Sequence, residues 1–90
     1  MDEFTALGQL KICVLNKCGW VVYEENHALI LSKLIFEQTR NYLSKTTLAR
    51  FFRFEGKHPL FNSIFMLNTL SQFLGYVDWK DFLNAQDKGN

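Results

Sequence analysis

The stretch from Tyr42 to Phe54, YLSKTTLARFFRF, mixes basic, hydroxyl and aromatic side chains. At about 100° per residue along a helix, one outward arc collects Lys45, Thr46, Ala49, Arg50 and Arg53. Arginine can donate two hydrogen bonds to guanine or pair with a phosphate, threonine can contact either, and alanine lets the backbone come close. These are the residue types of a helix that enters the major groove of DNA.

The opposite arc of the same helix is aromatic and aliphatic, and it holds Leu48, Phe51 and Phe52. We therefore predict a helix from Lys45 to about Phe54 that buries this arc. Ser44 is the expected N-cap, because its side-chain oxygen can accept from an N–H of the first turn. The free N–H groups and the dipole at that end favour phosphate near Ser44 and Lys45. Lys57, in the following loop, is a further candidate phosphate contact.

The basic residues are concentrated around this helix, although the whole chain carries a formal charge of only +1. Residues 31–60 carry a net +4, whereas residues 1–30 carry −2 and residues 61–90 carry −1. A local basic excess is the electrostatic signature of a nucleic-acid contact. The alternative is that these side chains form a solvated face that keeps an aromatic-rich domain soluble.

Two helices are predicted before the basic one. Apolar residues at three- and four-residue steps predict a first helix over residues 3–18, ended by Gly19, and a second from an N-cap at Asn26 to about Arg40. Asn41 is expected to take the left-handed conformation that ends the second helix. Its apolar residues extend around most of the cylinder, which is typical of a central, buried helix. In the connector between them, Trp20 and Val22 are expected to cap the core.

Two further helices are predicted after it: one from about Ser63 to Leu74, ended by Gly75, and a short last helix capped by Asp78. No pair of alternating runs could form a sheet. The expected class is therefore all-α, a compact bundle of about five helices. We expect one domain over residues 1–85 and a polar tail over residues 86–90.

Several functional classes find no support in the sequence. Cys13 and Cys18 are poorly spaced for a mutual disulfide, and His27 and His58 are isolated, so we expect reduced thiols and no metal. Known catalytic motifs are absent, so we expect that the protein is not an enzyme and that it binds no cofactor. The apolar runs are too short for a bilayer, so we expect no membrane contact and a cytoplasmic protein.

The stretch YLSKTTLAR resembles the turn and second helix of bacterial helix-turn-helix domains. The matching residues are Leu43, Ser44, Thr47, Leu48, Ala49 and Arg50. Residues 69–83, TLSQFLGYVDWKDFL, are similar to the closing helices of the lambda repressor-like class. The resemblance covers about residues 28–83 and implies a helix-turn-helix-like centre that binds double-stranded DNA in a regulatory role. A homodimer would extend the site, because one short helix reads few base pairs. Gln38 and Tyr42 stand where that class has a small residue and a glycine, so we expect a longer or differently made turn.

The chain also looks like small helical modules at the front of bacterial proteins of unknown function. This likeness adds no mechanism. The near-neutral charge of the chain and the altered turn favour an alternative function, a protein-interaction or adaptor module with no nucleic-acid binding, which could be the N-terminal part of a larger protein. Phe61, Ile64 and Phe65 would be its interface, because they lie off the predicted core arc and could form an exposed apolar patch. The competing interpretation is that the loop and the first helix cover them.

Overall fold

The computed structural model describes residues 2–53 and 63–88, and within these ranges the chain forms five helices and no strand. The helices are α1 (Glu3–Cys18), α2 (His27–Thr39), α3 (Lys45–Arg53), α4 (Ile64–Phe73) and α5 (Trp79–Lys88). The all-α prediction is confirmed. α5 continues to Lys88, so residues 86–88 are helical. No helix in the two ranges is long and apolar enough to cross a bilayer.

The N-termini of α1, α4 and α5 are capped by side chains next to them in sequence. Asp2 Oδ1 accepts from the Thr5 N–H at 2.7 Å, and this hydrogen bond lowers the pKa of Asp2. Ser63 Oγ accepts from Met66 N–H, and Asp78 Oδ1 accepts from Asp81 N–H. The predicted cap at Asp78 and the left-handed Gly19, with φ 77°, are therefore confirmed.

α2 begins directly after Asn26 and ends near Arg40, as predicted, but neither end is closed by the residue expected to close it. Asn26 makes no capping hydrogen bond; instead His27 Nδ1 accepts from the Glu24 N–H at 3.0 Å and closes the turn before the helix. At the other end Arg40, with φ 65°, takes the left-handed conformation expected of Asn41. The Asn41 amide is used elsewhere, since its Nδ2 donates to Gln72 Oε1 of α4 at 3.2 Å.

The central helix is α4, and the prediction that α2 is central was wrong. α4 packs against α1, α2 and α5. Its buried residues are Met66, Leu67, Thr69, Leu70, Ser71 and Phe73. α2 buries a single face, made of Ala28, Leu31, Ser32 and Ile35. Its other apolar side chains, Leu29, Ile30, Leu34 and Phe36, are exposed.

Three helix C-termini meet at the carbonyl oxygen of Phe73, in the last turn of α4. Gln38 Nε2 donates to this oxygen at 2.7 Å, and Lys17 Nζ donates to it as well. Lys17 also donates to Gln38 Oε1 at 2.8 Å and lies 4.4 Å from the centre of the Phe73 ring. A cation at this point compensates the negative end of the α4 dipole and joins α1, α2 and α4.

The connector from Arg40 to Ser44 is tied to α2 from inside the core. The Ser32 hydroxyl donates to the Leu43 carbonyl oxygen at 2.5 Å, and both residues are buried. The Leu43 side chain joins the same core as Leu48 of α3. This hydrogen bond therefore fixes where α3 begins relative to α2.

Ser32→Ala is expected to lower the free energy of unfolding by about 1–2 kcal/mol, because it leaves the buried Leu43 carbonyl without its donor. Ser71→Ala is the matched control, since Ser71 is also buried and donates to the Leu67 carbonyl of its own helix, which lies four residues earlier. That carbonyl keeps the helical N–H, so the control should change little. Urea denaturation of both variants tests this, and equal losses would contradict it.

Candidate nucleic-acid interface

α3 presents the predicted face to solvent. Lys45, Thr46, Arg50 and Arg53 are exposed, and Ala49 between them is half-buried. On the other side Leu48 and Phe51 are buried in the core. The burial pattern predicted from residue spacing is thus correct, and we call the five outward residues the α3 strip. Lys57 lies outside the described residues.

The N-terminus of α3 is capped by Ser44, as predicted. Ser44 Oγ accepts from the Thr47 N–H at 3.1 Å, and the Ser44 hydroxyl donates to Thr47 Oγ1 at 3.0 Å. The Ser44 side chain therefore stabilises the N-terminal turn of α3. A phosphate placed here would meet the backbone N–H groups of Lys45 and Thr46, which precede the first N–H used by the cap.

Aromatic residues of the α1–α2 connector support the C-terminal half of α3. The ring of Tyr23 stacks on Phe52 with centres 4.7 Å apart, and Trp20 stacks on His27 at 3.9 Å. Trp20 packs against the core as expected, but Val22 is exposed and does not cap it. Sequence reasoning missed Tyr23, because an aromatic residue in a connector carries no signal for the distant helix that it contacts.

An acidic residue of the same connector reaches the α3 strip. Glu25 Oε1 forms an ion pair with the Arg53 guanidinium. Glu25 and Ala28 lie along one side of an open groove of about 460 Å³, and the α3 strip lines the other. Arg50 also lines this groove, and within residues 2–53 and 63–88 no hydrogen bond or ion pair occupies its guanidinium. The groove is therefore basic, with one carboxylate that neutralises Arg53.

The second predicted surface lies at the start of α4. Ile64 is 62% exposed and Phe65 is 51% exposed, so neither side chain is covered by α1. Phe61, the third predicted member, is outside the described residues. Docking of a protein partner on this patch stays a prediction.

The cysteines and histidines form no site in the part of the chain that the structure describes. Cys13 and Cys18 are half-buried free thiols, and burial raises the pKa of both. Across residues 2–53 and 63–88, no three His, Cys, Asp or Glu side chains are grouped as metal ligands would be.

Comparison with known proteins found no matching family model, no matching curated protein and no matching solved structure. The helix-turn-helix resemblance therefore stays a hypothesis, to be judged by the chemistry of the α3 strip.

The contribution of Tyr23 to stability should depend on pH. Its hydroxyl is buried without a hydrogen-bond partner in the described structure. Burial raises the pKa of Tyr23, the nearby Arg53 lowers it, and Glu25 raises it further. The net direction is upward, so the folded state favours the neutral phenol.

Tyr23→Phe should therefore preserve the ring stack and leave stability at neutral pH equal or higher by up to about 1 kcal/mol, because it removes an unpaired buried hydroxyl. In the wild type, the Tyr23 contribution is retained below its ordinary pKa of 10.0 and declines as the pH rises towards the folded-state value. The variant should lose less stability than wild type above pH 10. Urea denaturation across this range measures the difference, with Tyr42→Phe, at an exposed site, as control.

Proposed function

We propose that this protein binds double-stranded DNA in a regulatory role, with α2 and α3 acting as a helix-turn-helix-like unit. The observation that carries the proposal is the α3 strip, an exposed row of basic, hydroxyl and small side chains on a helix anchored by Leu48 and Phe51. A helix of this kind fits the major groove with its outward side chains towards the bases.

The members of the α3 strip have different roles in this proposal. Arg50 is the main base or phosphate contact, because its guanidinium lines the groove without a partner in the described structure. Ala49 is half-buried between its neighbours and leaves space for the DNA, and Thr46 offers a hydroxyl. Lys45 lies at the N-terminus, where a phosphate would also meet the first N–H groups.

Phosphate contacts should supply most of the affinity. With about three such contacts per chain, the logarithm of the binding constant should fall with the logarithm of salt concentration with a slope of roughly −3. Binding should therefore be weak at physiological salt and clear at low salt. This is consistent with a chain whose formal charge is only +1.

Arg50→Ala should weaken binding to a random-sequence duplex by about fivefold at low salt and reduce the salt slope by about 1, because one cation is removed from the contact. Lys80→Ala is the matched control: Lys80 is exposed on α5, outside the groove, and the variant loses the same charge. Fluorescence anisotropy of labelled duplex measures both. Absence of duplex binding by wild type at low salt rejects the proposed function, and equal losses in the two variants reject the assignment to α3.

Glu25→Gln should strengthen duplex binding by up to about fivefold, because it removes a carboxylate from the groove and frees the Arg53 guanidinium. Glu24→Gln makes the same charge change one residue away, outside the residues that line the groove. The same titration should show a clearly smaller gain for this control. Equal gains would mean that only net charge matters and that the Glu25–Arg53 pair has no specific effect.

We also propose a second candidate function, an adaptor that docks a protein partner on Ile64 and Phe65, because both side chains are exposed at the start of α4. The duplex titration separates the two functions. A pure adaptor shows no salt-dependent duplex binding in the wild type, whereas the DNA-binding function requires it.

A further inference from the structure

We propose that the exposed face of α2 is the interface of a symmetric homodimer in which the two α2 helices pack antiparallel. The apolar side chains Leu29, Ile30, Leu34 and Phe36 all lie on this face. The proposal concerns a surface separate from the α3 strip and does not depend on DNA binding.

The exposure of these side chains is unusual for a helix of this composition. Ile30 is 44% exposed and Phe36 is 45% exposed, although both lie within a helix of the bundle. Four large apolar side chains exposed on one helix face, on either side of a pair of charges, form a patch of the kind that marks an interaction site. Packing against α3 and α4 leaves this side of α2 uncovered.

The charges on the face indicate a second copy of the chain as its partner. Lys33 and Glu37 lie in its middle, one turn apart, and neither has an ion pair or hydrogen bond in the described structure. In an antiparallel pair with its twofold axis level with residue 35, Lys33 of one copy lies level with Glu37 of the other, and the reverse contact follows by symmetry. A parallel pair in register would bring Lys33 against Lys33. The face is thus complementary to itself in the antiparallel arrangement only.

The apolar residues fit the same arrangement. Leu34 and Phe36 lie one residue on either side of the proposed axis, so each comes close to its own symmetry mate. Beside Leu34 and Glu37 is a pocket of about 330 Å³, whose other walls are Lys17, Cys18, Gln38 and Phe73. Leu34 of the second copy comes level with this pocket and can enter it.

The dimer should be weak. A helix of 13 residues is about 20 Å long, so the contact is smaller than the interfaces of about 800 Å² per partner found in stable complexes. We expect a monomer–dimer equilibrium visible at high micromolar protein concentration.

Sedimentation velocity of the full chain over a concentration series tests the proposal. Ile30→Asp should weaken dimerisation by at least about tenfold, because it places a charge in the apolar contact. Ile12→Asp is the matched control, since Ile12 is 50% exposed and belongs to a different helix, α1. Circular dichroism should show equal helix content in both variants.

Charge exchange tests the antiparallel register. Lys33→Glu and Glu37→Lys should each weaken the dimer, because each replaces two attractive contacts by two repulsive ones. The double variant K33E/E37K should restore it, because both reciprocal pairs are re-formed with the charges exchanged. A dimer that depends on this register must show all three results.

A wild-type chain that stays monomeric at millimolar concentration overturns the proposal. So does a dimer that survives both Ile30→Asp and Lys33→Glu, or one that Phe65→Asp abolishes, since that places the contact at the start of α4. Failure of K33E/E37K to recover overturns the antiparallel pairing. DNA titrations of the same variants are independent, so either proposal can fail while the other stands.

Discussion

The structure of the candidate site depends on the burial of Leu48 and Phe51 beneath α3. α3 has nine residues, and isolated helices shorter than about 12–15 residues are marginal in water. The outward residues therefore cannot keep a fixed geometry by themselves. The two buried side chains, the Ser32–Leu43 hydrogen bond and the Tyr23–Phe52 stack supply the missing stability. Any variant that loosens this anchoring also removes the α3 strip.

The electrostatics of the groove follow from the same packing. The connector before α2 must pack Tyr23 against Phe52, and this contact brings Glu25, two residues later, to Arg53. An exposed ion pair of this type contributes little to stability, about 0–1 kcal/mol. Its larger effect is on the electrostatic potential of the groove, because it neutralises one of the three cations that line it. One short segment, the connector before α2, therefore both supports α3 through Tyr23 and reduces its positive charge through Glu25.

Features set by neighbouring residues could be predicted from the sequence. The buried and exposed sides of α3, the caps at Ser44 and Asp78 and the stop at Gly19 depend on spacing or on a single local hydrogen bond. Glu25 was missed because its partner is 28 residues away. The left-handed residue was placed one position late, since the sequence does not show that α4 binds the Asn41 amide. The central helix was misassigned because composition reports how many sides of a helix are apolar, whereas neighbouring helices decide how many are covered.

The exposed apolar face of α2 connects the proposed DNA binding with the proposed dimer. One short helix reads few base pairs, and a nearly neutral chain gathers few phosphate contacts. Both deficits are reduced if the exposed apolar face of α2 joins two copies, because each dimer then carries two α3 strips and twice the salt dependence. α2 is packed directly against α3, so a contact on the outer face of α2 would fix the separation of the two strips. The apolar face that the monomer leaves exposed on α2 and the short basic helix α3 are thus compatible with one twofold assembly.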